Sequence, residues 1–303
     1  MRFLVLNWGA WEGFLLQQVL PNADKINVLP FQPLPEPVLD LLPMYDGLVL
    51  NIDLTDIQSI FPNQHDLWDR VIAHKMAVLN KHWMNIDKVL LQEVVARSGL
   101  DNLTPQRDTP SSTPVIIKTR NNYGGEPEQR FLECRQYSDP PKAMGASVTN
   151  SNSYIVTTWG QARSSNIDRN QLCIELYIEN PEDVFFRVYI SGLAVLAVRA
   201  HCAGDIKKVS NDPRDTNCFS DRESLDLLAK NDKFGRGLAH TIEKFLAFQD
   251  VDFCSLDIVT NGTDHYIVDI NTTPWCGTGI LPTEVKSFLQ AGLLHPDHTF
   301  QNL

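Results

Sequence analysis

Phe253-Cys254-Ser255-Leu256-Asp257-Ile258-Val259, the link Thr260-Asn261-Gly262-Thr263-Asp264, and His265-Tyr266-Ile267-Val268-Asp269-Ile270-Asn271 decide how the second half of this chain folds. Two apolar runs joined through Asn-Gly predict a β-hairpin with antiparallel strands. Asp269 and Asn271 are two residues apart, so their side chains share one face of the strand. Asp257 sits within the facing run and is expected to pair across the hairpin on that same face. Three hard oxygen donors on one surface suit magnesium, which takes a few carboxylates and completes its shell with phosphate oxygens and water. The same residues also suit a turn cap at Asn271 and buried ion pairs at the aspartates.

Upstream, the texture is β-rich. Strands are expected at 115–119, 130–135, 154–158, 172–178, 184–190 and 193–200, with polar Ser- and Asn-rich loops at 136–153 and 159–170. A helix is expected near 233–248. Val115-Ile116-Ile117 delivers Lys118 to the end of a β-branched strand, and Asn122-Tyr123-Gly124-Gly125 follows directly. Glycines let backbone N–H groups approach phosphates closely and the lysine adds charge, although a Gly-Gly pair also makes an ordinary hairpin turn. Arg187 and Arg199 lie within apolar strands. A buried guanidinium needs an anionic partner, either a ligand phosphate or carboxylate or a structural carboxylate. No structural partner for Lys118 is legible.

Further upstream, Asp87 opens a helix with apolar residues at 89, 90, 91, 94 and 95, stopped by Gly99. Residues 101–114 carry three prolines and read as a linker. Before them, short apolar runs at 3–6, 26–29, 47–52 and 76–80 alternate with helical patterns at 11–20 and 66–74. Strands separated by helices predict a parallel α/β sheet.

The chain has 303 residues, enough for more than one domain, with 43% hydrophobic and 21% charged residues. A net charge of −11 argues against nucleic acid or an anionic membrane as the main partner. No apolar run is long enough to cross a bilayer. One arginine and a very short apolar run at the start do not make a secretory signal. Six scattered cysteines without a CxxC pair fit reduced thiols, so a cytoplasmic setting is expected. None of the eight histidines has a spacing that marks a general base, and His295-Pro296-Asp297-His298 reads as a solvated tail.

The order of these pieces over residues 76–275 resembles the ATP-grasp superfamily, which includes glutathione synthetase, D-alanine–D-alanine ligase and the ribosomal-protein glutamate ligases. The resemblance implies an α/β (in part α+β) ATP-grasp fold behind an N-terminal parallel α/β domain. The implied divisions are 1–84, a central lid subdomain 85–174, and a C-terminal subdomain 175–303 with the metal site. It implies ATP and Mg2+ as cofactors, with Lys88 and Lys118 on the phosphates and Gly124 and Gly125 in the loop over them. Glu175, Leu176 and Tyr177 correspond to the adenine hinge. Arg187 and Arg199 correspond to two strand arginines facing the transferred phosphoryl group and the acceptor carboxylate, with Arg199 and Lys118 as the catalytic pair. Asp257, Asp269 and Asn271 correspond to the metal ligands.

Two departures stand out. Asp269 replaces the commoner glutamate, and Phe185 stands where relatives carry an aspartate, which moves the ribose contact to Glu179 or Asp183. The implied reaction joins a small-molecule or peptide carboxylate to an amine through an acylphosphate, in a monomer or homodimer. Two other readings stay open. One is a kinase acting on a hydroxyl, for which Lys207, Lys208 and Arg214 are the basic residues close after Arg199. The other is a nucleotide-binding module without catalysis.

Overall fold

The computed structural model describes residues 1–8, 14–121, 128, 154–201, 215–221, 235–274, 276 and 281–295. Gly124, Gly125, Lys207, Lys208, Arg214 and the expected strand at 130–135 lie outside these residues.

The fold is mixed α/β, with one parallel and two antiparallel sheets. Strands β1 (Phe3–Trp8), β2 (Asp24–Asn27), β3 (Gly47–Ile52) and β4 (Ala77–Val78) form the parallel sheet in the order β2-β1-β3-β4. Helices α1 (Leu15–Val19), α2 (Glu36–Leu39) and α3 (Gln64–Ala73) connect them. β1 reads as a continuous apolar run because both of its faces are buried. Phe3 and Val5 enter one core while Leu4 and Leu6 enter another.

Helix α4 (Lys88–Arg97) starts where the Asp87 side chain accepts hydrogen bonds from Val89 N and Leu90 N, an N-cap. Gly99 follows at φ +71°, the left-handed geometry that ends helices at a glycine. Next comes a three-stranded antiparallel sheet, β6-β5-β7, made of β5 (Pro114–Thr119), β6 (Ile155–Thr158) and β7 (Leu172–Leu176). Between β6 and β7 lies α5 (Trp159–Ser164), where the sequence reads as loop. The capping box of Thr158 with Gln161 supports this helix, and Ala162 is its only buried residue. It therefore carries no apolar period to detect.

The remaining strands form a five-stranded antiparallel sheet, β10-β9-β8-β11-β12. They are β8 (Val184–Ser191), β9 (Ala194–His201), β10 (Asp215–Asp221), β11 (Phe253–Thr260) and β12 (His265–Asn271). The β11–β12 hairpin forms as predicted, with Asn261 accepting from the N–H groups of Thr263 and Asp264, and Gly262 at φ +97°. Helices α6 (Gly235–Phe248) and α4 cover one face of this sheet, and their Phe245, Ile242, Leu91 and Val95 pack on Phe186, Val188 and Ile258. Part of the other face packs on α7 (Thr283–Leu293), α1 and the parallel sheet, in a core shared by Leu196, Phe253, Leu289, Val5 and Leu16. Asn80, at φ +54° after β4, locks this junction. Its Oδ1 accepts from Phe253 N at 2.9 Å, its N donates to Asp252 Oδ2 at 2.9 Å, and its Nδ2 donates to Phe253 O. The expected division at 84/85 falls in the connection between β4 and α4, and that at 174/175 falls within β7; α4 packs with the five-stranded sheet.

Candidate active site

The three-stranded sheet faces the open part of the five-stranded sheet across a cleft of about 680 Å3, counted out to its mouth. Lys88 comes from the first turn of α4, Lys118 from β5, and Glu175 with Leu176 from β7. Tyr177 follows β7, and Asp257 and Asp269 come from β11 and β12. Between the polar groups, Leu103, Ile116, Phe185, Val259 and Val268 form apolar walls.

The strand registers fix which side chains can meet. Val198, Arg187, Asp257 and Asp269 form one row across β9, β8, β11 and β12, and Leu196, Tyr189, Ser255 and Asn271 form the next row on that face. Asp257, Asp269, Asn271 and Arg187 therefore share one surface. Arg199 pairs with Phe186, which pairs with Ile258. Those residues belong to the face covered by α4 and α6, so Arg199 does not join Arg187. The expected pair of arginines on one substrate surface is not formed. Asp183, at φ +57° in the turn before β8, also lies outside the cleft lining.

Among the described residues, Lys118 and Glu175 make the most buried ion pair, Nζ to Oε2 at 2.7 Å with both side chains under 10% exposed. Lys118 also donates to the carbonyl of Val268 at 2.8 Å. It thus has structural partners from both sheets, contrary to the sequence reading. Burial opposes the Lys118 charge, but Glu175 first, then Cys173 and Asp269, hold the ammonium above the ordinary lysine range. Burial pushes the Glu175 carboxyl up while Lys118 pulls against it. Among the described residues, Glu175 Oε1 is buried with no hydrogen-bond partner. An acceptor left bare in an apolar slot calls for a donor, such as an amino group of a base.

Lys88 Nζ donates to the carbonyl of Asn121 at 2.8 Å and lies 3.7 Å from Asp269 Oδ1. Arg187 grips Asp257 with two bonds of 2.8 Å, so the structural ion pair considered for both residues is present. Each Asp257 oxygen keeps one lone pair. Burial pushes the Asp257 carboxyl up, with Arg187 opposing. Asn271 Oδ1 accepts from Thr273 N at 2.9 Å and Oγ1 at 3.0 Å, the turn role also allowed by the sequence. The Asp257 and Asp269 carboxylates offer the hard oxygens that magnesium takes, whereas Asn271 would have to give up a bond to Thr273 to join them. No group of three His, Cys, Asp or Glu side chains that could hold a metal occurs among the described residues.

Tyr154, just before β6, lines the same cleft and was not legible as a site residue. Burial first, then the Asp269 carboxylate, pushes its phenol up to about 12, so it is an O–H donor at neutral pH. The run Ser151-Asn152-Ser153 before it gives no signal of this.

No protein-family model matches this chain, and no curated protein matches it. Solved structures similar to it include an ATP-grasp RimK domain protein from Sphaerobacter thermophilus, at 9% identity over 97% of each chain with a TM-score of 0.48. D-alanine–D-alanine ligase from Bacillus anthracis is 13% identical over 97% of this chain and 94% of its own, with a TM-score of 0.45. A RiPP-associated ATP-grasp ligase from Chryseobacterium gregarium, solved with ADP and a leader and core peptide, is 11% identical over 96% of each chain, with a TM-score of 0.44. At these identities and scores the likeness assigns neither a substrate nor a residue role to this chain.

Proposed function

We propose that this chain binds ATP with magnesium in the cleft between its two antiparallel sheets and activates a carboxylate for attack by an amine. The supporting observation is the convergence, from five separate elements, of Lys88, Lys118, Glu175 and the Asp257–Asp269 pair on one apolar-walled cleft. In this reading Glu175 Oε1 accepts from the adenine amino group, and the apolar walls hold the ring. Lys88 and Lys118 neutralise phosphate charge, which phosphoryl transfer needs more than covalent help. Asp257 and Asp269 would hold magnesium, whose charge, when bound, offsets that of the phosphates. Arg187 orients Asp257 by its two-pronged contact. The carboxylate oxygen attacks the γ-phosphorus and ADP leaves. The amine nitrogen then attacks the acyl carbon and inorganic phosphate leaves.

A second reading, nucleotide binding without turnover, is favoured by one observation: Arg199 lies on the opposite face and Arg187 is already engaged, so no free arginine among the described residues faces the acceptor position. Following the γ-phosphate label of ATP across pairs of carboxylates and amines decides the matter. Label released as free phosphate in step with ADP and a new amide supports the ligase. Label retained on an alcohol or sugar shows a kinase, and binding without turnover leaves the second reading.

A further inference from the structure

Arg120 is not among the residues that line the cleft, and nothing in the functional reading uses it. Its contacts nonetheless run to the lysine that does. The Asp87 carboxylate divides its two oxygens: Oδ1 caps α4 through Val89 N at 2.8 Å, and Oδ2 takes Arg120 Nε at 2.7 Å. Arg120 also donates from its guanidinium to the carbonyl of Arg169 at 3.2 Å and from its backbone to Gln171 O at 2.9 Å. The backbone carbonyl of Arg120 accepts from Lys88 N at 3.3 Å, and the next carbonyl, Asn121 O, accepts from Lys88 Nζ at 2.8 Å. Lys88 is therefore held at its backbone by the Arg120 carbonyl and at its ammonium by the Asn121 carbonyl. The ring Asp87–Arg120–Asn121–Lys88 joins α4, packed on the five-stranded sheet, to the end of β5 in the three-stranded sheet.

We infer that Arg120, acting through Asp87 and the Asn121 carbonyl, is a positioning residue that sets the Lys88 ammonium in the cleft lining; this rests on the nucleotide reading of that cleft. Asp87 pulls the Arg120 guanidinium upward in pKa, so the link is charged throughout the physiological range. A neutral asparagine at position 87 can still cap the helix but loses the charged grip on Arg120.

The test measures the affinity for ATP with magnesium in wild type, Arg120→Ala, Asp87→Asn, Lys88→Ala and the Arg120→Ala/Lys88→Ala double variant, with the labelling rate of Lys88 by an amine-reactive reagent read by mass spectrometry. Arg120→Ala and Asp87→Asn should each weaken binding on the order of tenfold, as expected for losing an outer partner of a ligand group. Both should accelerate labelling of the nearly buried Lys88 while leaving other lysines unchanged. In the Lys88→Ala background, Arg120→Ala should add less than about twofold, because coupled positions are not additive. An equal loss in both backgrounds, or unchanged Lys88 labelling in the Asp87→Asn chain, overturns the inference. Wild type that binds no ATP overturns the nucleotide reading itself, and the labelling result then still decides whether Arg120 holds Lys88.

Discussion

Replacing Lys118 by Met keeps most of the side-chain volume and removes only the charge and its donors. Glu175 would remain, 2% exposed, without the ammonium at 2.7 Å. A carboxylate stranded in that slot takes up a proton instead, and at pH 7 this means protonating a group whose ordinary value is 4.5. At about 1.36 kcal/mol per unit, that costs about 3.4 kcal/mol, and the carbonyl of Val268 losing its donor adds about 1 kcal/mol. With an unfolding entropy of about 2.1 cal/mol/K per residue, the 303-residue chain should lose about 7 °C in Tm at pH 7. The sign of the pH dependence follows. In the variant the folded Glu175 carboxyl is raised, so its neutral form is free of cost near pH 4.5 and the deficit grows as pH rises. At pH 5 only about 0.7 kcal/mol of the charge cost is left, and the deficit should shrink to about 3 °C. Calorimetry of wild type, Lys118→Met and Lys118→Met/Glu175→Gln at both pH values measures this. A deficit equal at pH 5 and pH 7, or a double variant no more stable than the single one at pH 7, refutes the reasoning.

Two further outcomes are expected. Asp269→Ala/Asn271→Ala should abolish magnesium-dependent ATP turnover and leave the unfolding midpoint within a few degrees; a well-folded double variant with unchanged turnover removes these residues from the metal site. Burial, then Glu175, pushes the Cys173 thiol from 9 to about 12. Stability tied to it is complete below pH 9 and lost as pH rises to 12, up to about 4 kcal/mol by linkage. Cys173→Ala should flatten the alkaline decline between pH 9 and 10, before Tyr154 and Tyr189, both raised to about 12, begin to contribute. An unchanged alkaline profile contradicts the assignment.

The period-two spacing of β12 made the shared face of Asp269 and Asn271 legible, but Asp257 meets Asp269 only through a register shift between Asp257 and Ile258 that counting from the Asn261-Gly262 turn does not give. The N-cap at Asp87 and the stop at Gly99 were legible because local geometry alone sets them. The Lys118–Glu175 pair was not, since the antiparallel packing of β5 on β7 joins residues far apart in sequence. Arg199 was misplaced although its parity was available. Ser191 pairs with Ala194 around a turn whose Gly192 has φ +58°, and counting outward from it sets Val198, not Arg199, opposite Arg187. Helix α5 escaped notice because a six-residue polar helix rests on its cap and not on a buried stripe.

The junction at Asn80 has a consequence for how this chain can be divided. Leu196 and Phe253 of the five-stranded sheet share a core with Val5 and Leu16, and Asn80 closes its hydrogen bonds on the first residues of β11. Cutting the chain at residue 84 would strip an apolar sheet face bare and leave the backbone of Phe253 without its partners. The N-terminal third is thus no interchangeable module: it is half of an internal wall, and a transplanted substitute would have to reproduce that wall residue by residue before any ligand site could form beside it.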